Sequence, residues 1–167
     1  MSSFDLIVIG AGPGGYVSAI RAAQLGMKVA CVDKRTTLGG TCLNVGCIPS
    51  KALLNSSEKY SEAANGHLDD MGISFGKVAL DVSAMMASKD KIIKTLTGGI
   101  DMLFAKNKVT RLTGSATITK QGEVTVTDGA DKGVYSAERI LIALVLCQQA
   151  CQMLRLMKKR LSLQQVH

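Results

Sequence analysis

Apolar positions first gather in one short, nearly unbroken run, Phe4-Asp5-Leu6-Ile7-Val8-Ile9, rich in branched side chains. Such a run predicts a strand buried on both faces. A helical pattern follows from Tyr16 to Leu25 and ends at Gly26. Lys28-Val29-Ala30-Cys31-Val32 then predicts a second strand, closed by Asp33. Further on, Lys51 to Ala64 continues as a helix that Asn65-Gly66 ends. Asp81 is placed to cap a long helix over 82–106, where Met85, Ile92, Leu96, Ile100 and Leu103 recur at steps of mostly three and four. Gly98-Gly99 weakens that helix by ~1 kcal/mol per glycine. Residues 108–119 predict a strand pair with Gly114 at its break. Glu123–Thr127 alternates as a strand, Asp128-Gly129 opens a turn, Val134-Tyr135-Ser136 returns, and Arg139–Ala143 reads as another buried strand. The sum is an α/β fold, a βαβ unit with a parallel sheet plus a small antiparallel β-meander, without internal repeat or linker.

Between the first strand and its helix stand Gly10, Gly12 and Gly15 in G-x-G-x-x-G spacing. Alone the spacing is weak; a strand before, a helix after and an acid closing the next strand make it a dinucleotide-binding signature. Gly10 makes the tight turn, Gly12 lets backbone approach a pyrophosphate, and Gly15 lets helix and strand pack closely. The phosphates would sit on the helix N-terminus, and Asp33 would accept hydrogen bonds from a ribose.

The second chemical signal is Gly39-Gly40-Thr41-Cys42-Leu43-Asn44-Val45-Gly46-Cys47-Ile48-Pro49-Ser50-Lys51. Five residues along an ideal helix rise roughly 7.5 Å, too far for a disulfide, whose Cα atoms lie within about 7 Å. Either the two cysteines never bond, or Cys42 occupies irregular backbone just before a helix that carries Cys47. Gly39 and Gly40 can supply that backbone, and Pro49 fits a first helical turn or a kink. The spacing suggests a redox pair at a loop-to-helix junction, with the helix dipole stabilising a Cys47 thiolate. Lys51 beside it favours a phosphate role, whereas His67 in a polar loop reads as surface.

Composition narrows the partners. Aromatic residues are 4% and Trp is absent, which argues against a stacking platform for nucleic acid. The net charge of +7 includes +4 from Arg155, Lys158, Lys159 and Arg160 in an acid-free tail. The five cysteines form no secreted-type framework, the methionines read as core filler rather than a ligand set, and two cysteines without a nearby histidine fall short of a structural zinc site. No signal peptide is visible and no apolar run approaches the ~20 residues of a membrane span. The expectation is a soluble intracellular chain, or a mature form without its targeting segment.

Taken together, residues 4 to about 143 resemble the two-electron flavoprotein disulfide reductases, the FAD-dependent pyridine nucleotide-disulfide oxidoreductases. Within them the Ile48-Pro49-Ser50-Lys51 ending resembles the dihydrolipoamide dehydrogenase branch more than glutathione or mercuric reductases. The resemblance implies a Rossmann-like FAD-binding domain over 1–143, incomplete, with NAD as co-substrate. It implies that Gly10, Gly12, Gly14, Gly15, Asp33, Lys34, Gly40, Thr41, Cys42, Lys51 and Gly114 hold FAD. Asp33 stands where the family usually has glutamate, and either carboxylate can hold a ribose. Cys42 and Cys47 would be the catalytic redox disulfide, Cys47 facing the flavin and Cys42 exchanging with dihydrolipoamide. Electrons would pass to the flavin and then as hydride to NAD⁺. The implied partners are a 2-oxoacid dehydrogenase complex and a second subunit, with no nucleic acid, membrane or metal. The implied location is the mitochondrial matrix in a eukaryote and the cytoplasm in a bacterium. Alternatives are another flavin disulfide reductase or a non-catalytic FAD-binding module.

From Leu144 the chain departs from that pattern, where relatives continue Thr-Gly-Ser-x-Pro. Leu144–Ala150 can be encoded CTG GTT CTG TGC CAG CAA GCA. One base restored before it gives Thr-Gly-Ser-Val-Pro-Ala, and the same register can run to the end. Residues 144–167 therefore read as a frameshifted tail, with the NAD-binding and dimerisation domains absent. The expectation is exposed apolar surface, poor solubility, weak FAD binding at best and no lipoamide turnover.

Overall fold

The computed structural model describes residues 2–144; the frameshift expectation falls, beyond Leu144, outside them. The elements are β1 (Ser2–Ile9), α1 (Pro13–Gln24), β2 (Val29–Asp33), α2 (Gly40–Asn44), α3 (Cys47–Ala64), α4 (Val82–Lys106), β3 (Thr110–Thr113), β4 (Ala116–Lys120), β5 (Glu123–Val126) and β6 (Gly133–Ile142). They make one six-stranded sheet in the order β3-β2-β1-β6-β5-β4. β3, β2, β1 and β6 are mutually parallel, and β6, β5 and β4 run antiparallel as a meander.

The parallel strands are apolar on both faces because both faces are covered. Val8, Val29 and Cys31 point to a core shared with Ala19, Ala22, Ile100 and Phe104 of the helices. Ile7, Ile9, Ala30 and Val32 point the other way, against Val124, Val126 and Ala137 of the meander. The chain is thus three layers, helices on sheet on meander. Connectivity requires the sheet to fold over. Only two residues, Gly114 and Ser115, join β3 at one edge to β4 at the other. Their flanking Cα atoms can be at most about 11 Å apart, whereas six flat strands would separate the edges by about 24 Å.

Several expectations change. Residues 108–119 do not pair with one another, since β3 bonds to β2 and β4 to β5. The segments 134–136 and 139–143 belong to one ten-residue strand, β6. That strand is not uniformly buried: Ile142 is 62% exposed, because β5 covers only Gly133–Ser136. The long helix begins after Asp81, whose Oδ1 accepts from Ala84 N at 2.9 Å. Met102, Leu103 and Leu96 on this helix stand exposed. No helix among the described residues is long and apolar enough to cross a membrane.

Candidate functional site

After β1 the chain runs outward to β2 and β3, then returns to β6 on the other side of β1. The ends of β1 and β6 therefore flank a topological switch point, where parallel sheets open a crevice. The fingerprint turn lies there. Gly10 has φ +102°, its N–H donates to Val32 O at 2.7 Å, and a Cβ on it would come 2.6 Å from the Ala143 carbonyl oxygen. A Cβ on Gly15 would overlap the Gly10 carbonyl oxygen, so α1 packs on β1 only through a glycine.

α1 starts at Pro13, one turn before the predicted Tyr16, because proline suits the first helical position. Its N-cap is Gly12, with no side-chain cap and no acid in the first turn. A Cβ on Gly12 or Gly14 would meet nothing within 4 Å. The helix thus presents uncapped N–H groups and its positive dipole end to open space, which fits a pyrophosphate.

Asp33 closes β2 beside this turn, and its carboxylate does more than the spacing foretold. Its Oδ2 accepts from Ala11 N at 2.7 Å and its Oδ1 from Arg35 N at 2.9 Å, while its carbonyl accepts from Gly114 N at 3.0 Å. The acid braces the glycine turn and joins Gly114 to it. A carboxylate has about four acceptor positions, so room remains for ribose hydroxyls. Lys34 follows, exposed.

The cysteine stretch is clasped to the same turn. Gly39 N donates to Ala11 O at 2.9 Å, and a Cβ on Gly40 would lie 2.6 Å from Gly12 Cα. Cys42 is not in irregular backbone as expected; it sits in the single-turn α2, with Thr41 exposed beside it. Val45 and Gly46 break the path, and Cys47 is the first residue of α3, with Pro49 in its first turn. The break, rather than a loop before Cys42, brings the side chains together. The neighbouring Cys47 thiol raises the Cys42 pKa above the ordinary thiol value, with partial burial acting in the same direction. Cys42 is half-buried and Cys47 exposed.

Lys51 stands exposed one turn along α3 from Cys47. Of the residues expected to hold the cofactor, Gly10, Gly12, Gly14 and Gly15 form the turn and the start of α1, Asp33 and Gly40 lie against it, and Gly114 is bonded to Asp33. His67 is exposed beyond α3. A cavity of about 590 Å³ between Tyr60 and Val78 contains none of the predicted residues. Among the described residues no cluster of His, Cys, Asp or Glu could hold a metal ion.

Sequence reasoning gave no role to three groups. Arg111 donates to the Thr36 carbonyl and pairs with Asp101 at 2.8 Å, tying the loop before the cysteines to β3 and α4. Asp131 Oδ2 accepts from Thr113 N at 2.8 Å, holding the meander to β3. The Asn44 amide bonds three groups in the cysteine loop. The only sequence signal for Asn44 was an amide residue at a turn, which commonly bonds nearby backbone.

A dinucleotide crevice with a dithiol fastened to its phosphate turn defines a class, the α/β nucleotide-binding proteins that work on thiols and disulfides. The chain belongs to the pyridine nucleotide-disulphide oxidoreductase family, whose profile matches residues 4–144. It is 52% identical over 141 residues to the mitochondrial dihydrolipoyl dehydrogenases of Sus scrofa and Homo sapiens, covering 83% of this chain and 28% of each relative. It is also 52% identical over 140 residues to a leghemoglobin reductase of Glycine max, covering 83% of this chain and 27% of that protein. The chain thus spans little more than a quarter of the length of these relatives.

Proposed function

We propose that residues 4–144 are the FAD-holding, disulfide-bearing part of a dihydrolipoamide dehydrogenase. The observation that carries this is the clasp of Gly39 and Gly40 onto Ala11 and Gly12, which fastens the dithiol to a turn open to a pyrophosphate. Gly10, Gly12, Gly14 and Gly15 would admit the pyrophosphate, and Asp33 and Lys34 the adenosine end. Gly114 would border the adenine, while Gly40, Thr41, Cys42 and Lys51 would lie toward the flavin. When bound, FAD would supply a two-electron acceptor for the dithiol and a hydride donor to NAD⁺.

The chain's own part is thiol–disulfide exchange. A dihydrolipoamide thiolate attacks Cys42 Sγ of the Cys42–Cys47 disulfide, forming a mixed disulfide and releasing the Cys47 thiolate. The second substrate sulfur, giving up its proton, displaces Cys42. Lipoamide leaves as the cyclic disulfide, and the two cysteines hold the two electrons. Deprotonating the substrate calls for a general base. The histidine among the described residues, His67, is exposed beyond α3, with no bond to either cysteine. The 167-residue chain alone should therefore undergo exchange without steady turnover. Full activity would draw on an NAD-binding region, a second subunit and a 2-oxoacid dehydrogenase complex. The mitochondrial names of the relatives support the matrix as its place in a eukaryote.

The test is to oxidise the purified chain and mix it with dihydrolipoamide or with glutathione, counting freed Cys42 and Cys47 thiols by mass spectrometry. Faster reduction by dihydrolipoamide is expected. Preference for glutathione would move the assignment to another disulfide reductase, and failure to form the disulfide would remove the redox reading altogether. A parallel FAD titration by flavin fluorescence should show weak, saturable binding.

A further inference from the structure

We propose that Asn44 is the positioning residue of the Cys42–Cys47 pair, its side-chain amide acting as a cross-brace that ties the end of α2 back to the segment leading into Cys42. The inference rests on the redox reading of the two cysteines. α2 has five residues, one turn, too short to persist on its own local bonds. Something outside its helical ladder must hold it, and Asn44 uses its whole amide to do so. Its Nδ2 donates to Leu38 O at 3.1 Å and to Gly40 O at 2.8 Å, while its Oδ1 accepts from Thr37 Oγ1 at 2.6 Å. Both N–H groups and the oxygen are thereby engaged, which also fixes which way the amide faces.

The brace spans the segment before Cys42, including Leu38, whose side chain is fully buried, and Gly40, which is wedged against Gly12. Asn44 lies two residues after Cys42 and three before Cys47, directly ahead of the break at Val45 and Gly46. The buried end of the loop is therefore rigidly connected to the turn that presents Cys42 to Cys47. Without the two donated bonds, Cys42 would sample more orientations, and its effective concentration toward Cys47 would fall.

The experiment is the equilibrium of the whole chain with reduced and oxidised glutathione at pH 7. One oxidised glutathione takes two electrons and two protons from the cysteine pair, leaving the disulfide and two reduced glutathiones. Peptide mapping reads the Cys42–Cys47 disulfide in wild type, Asn44→Asp, Asn44→Ala and Thr37→Val. Asn44→Asp keeps the shape and the bond from Thr37 but loses both donors. We expect a tenfold or greater fall in the equilibrium constant for Asn44→Asp and Asn44→Ala, equivalent to about 30 mV. Thr37→Val, which leaves both donors, should change it less than twofold. Far-UV circular dichroism and the thermal midpoint separate this split from general loosening, which would follow stability across all three variants. If Asn44→Ala does not fold, Asn44→Asp decides. An Asn44→Asp constant within twofold of wild type overturns the proposal. A wild-type chain that forms no Cys42–Cys47 disulfide refutes the underlying redox reading instead.

Discussion

Gly12 and Gly15 lie three positions apart and should fail in different ways. A Cβ at Gly15 overlaps the Gly10 carbonyl oxygen, and neither partner is a flexible side chain. Gly15→Ala should therefore cost about 3 kcal/mol or prevent folding, read as a drop in the urea midpoint. Gly12 has φ −69° and ψ −179°, which alanine adopts freely, and its Cβ would meet nothing within 4 Å. Gly12→Ala should stay within about 0.5 kcal/mol of wild type yet weaken FAD binding in a fluorescence titration. Cys31 makes a different prediction. Burial, then the charge of Asp33, push its thiol up to about 12, with Arg111 opposing. The fold thus favours the neutral thiol. That contribution is fully present below the ordinary value of 9.0 and is lost as pH rises toward about 12. The wild-type urea midpoint should fall more steeply above about pH 9 than that of Cys31→Ala. Gly10 and Gly15 were legible because the turn's sterics leave no alternative residue there, and Gly12 through its spacing to them. Asn44 and the second duty of Asp33 were not, because a short polar side chain finds its partners only after the loop has closed.

Among the elements, α4 was the easiest to foresee, since 25 residues give the 3.6-residue period many turns to show itself. Its glycines nevertheless invite a test. Gly98 and Gly99 have ordinary helical backbone, and a Cβ on either would meet nothing within 4 Å. Gly98→Ala and Gly99→Ala should each stabilise the chain by about 0.5–1 kcal/mol, seen as a raised thermal midpoint. A fall in the midpoint would mean that the helix needs a close approach at these positions. Removing the cap with Asp81→Ala should act oppositely, costing about 1 kcal/mol. Short elements were harder. Five residues of α2 cannot display a helical period, so Cys42 read as loop. β6 read as two strands because exposed Glu138 and Arg139 interrupt its apolar pattern. Its pairing is also uneven, with β1 along nearly its full length and β5 along the first part only.

At the scale of the molecule, the layers were legible and the closure was not. Alternation within a strand reports which faces are covered, but says nothing about which edge a short connection will reach. That closure depends on one place. Gly114 N donates to Asp33 O at 3.0 Å, Ser115 O accepts from Thr127 N at 2.9 Å, and Asp131 bonds Thr113 N. A Cβ on Gly114 would overlap the Asp128 carbonyl oxygen and come 2.5 Å from a methyl of Val126. The edges of the folded sheet therefore meet through a residue with no side chain, one hydrogen bond from the acid that braces the glycine turn. Gly114→Ala should push the meander away from β3 and disturb Asp33 at the same time. The expected result is a joint loss, a lower thermal midpoint together with weaker FAD binding, in contrast to Gly12→Ala, which affects binding alone. Hydrogen exchange should locate the damage, with faster exchange at Val124 and Val126, whose side chains fill the core under the meander. A Gly114→Ala chain with the wild-type midpoint and unchanged exchange would show that the two edges are held together somewhere else.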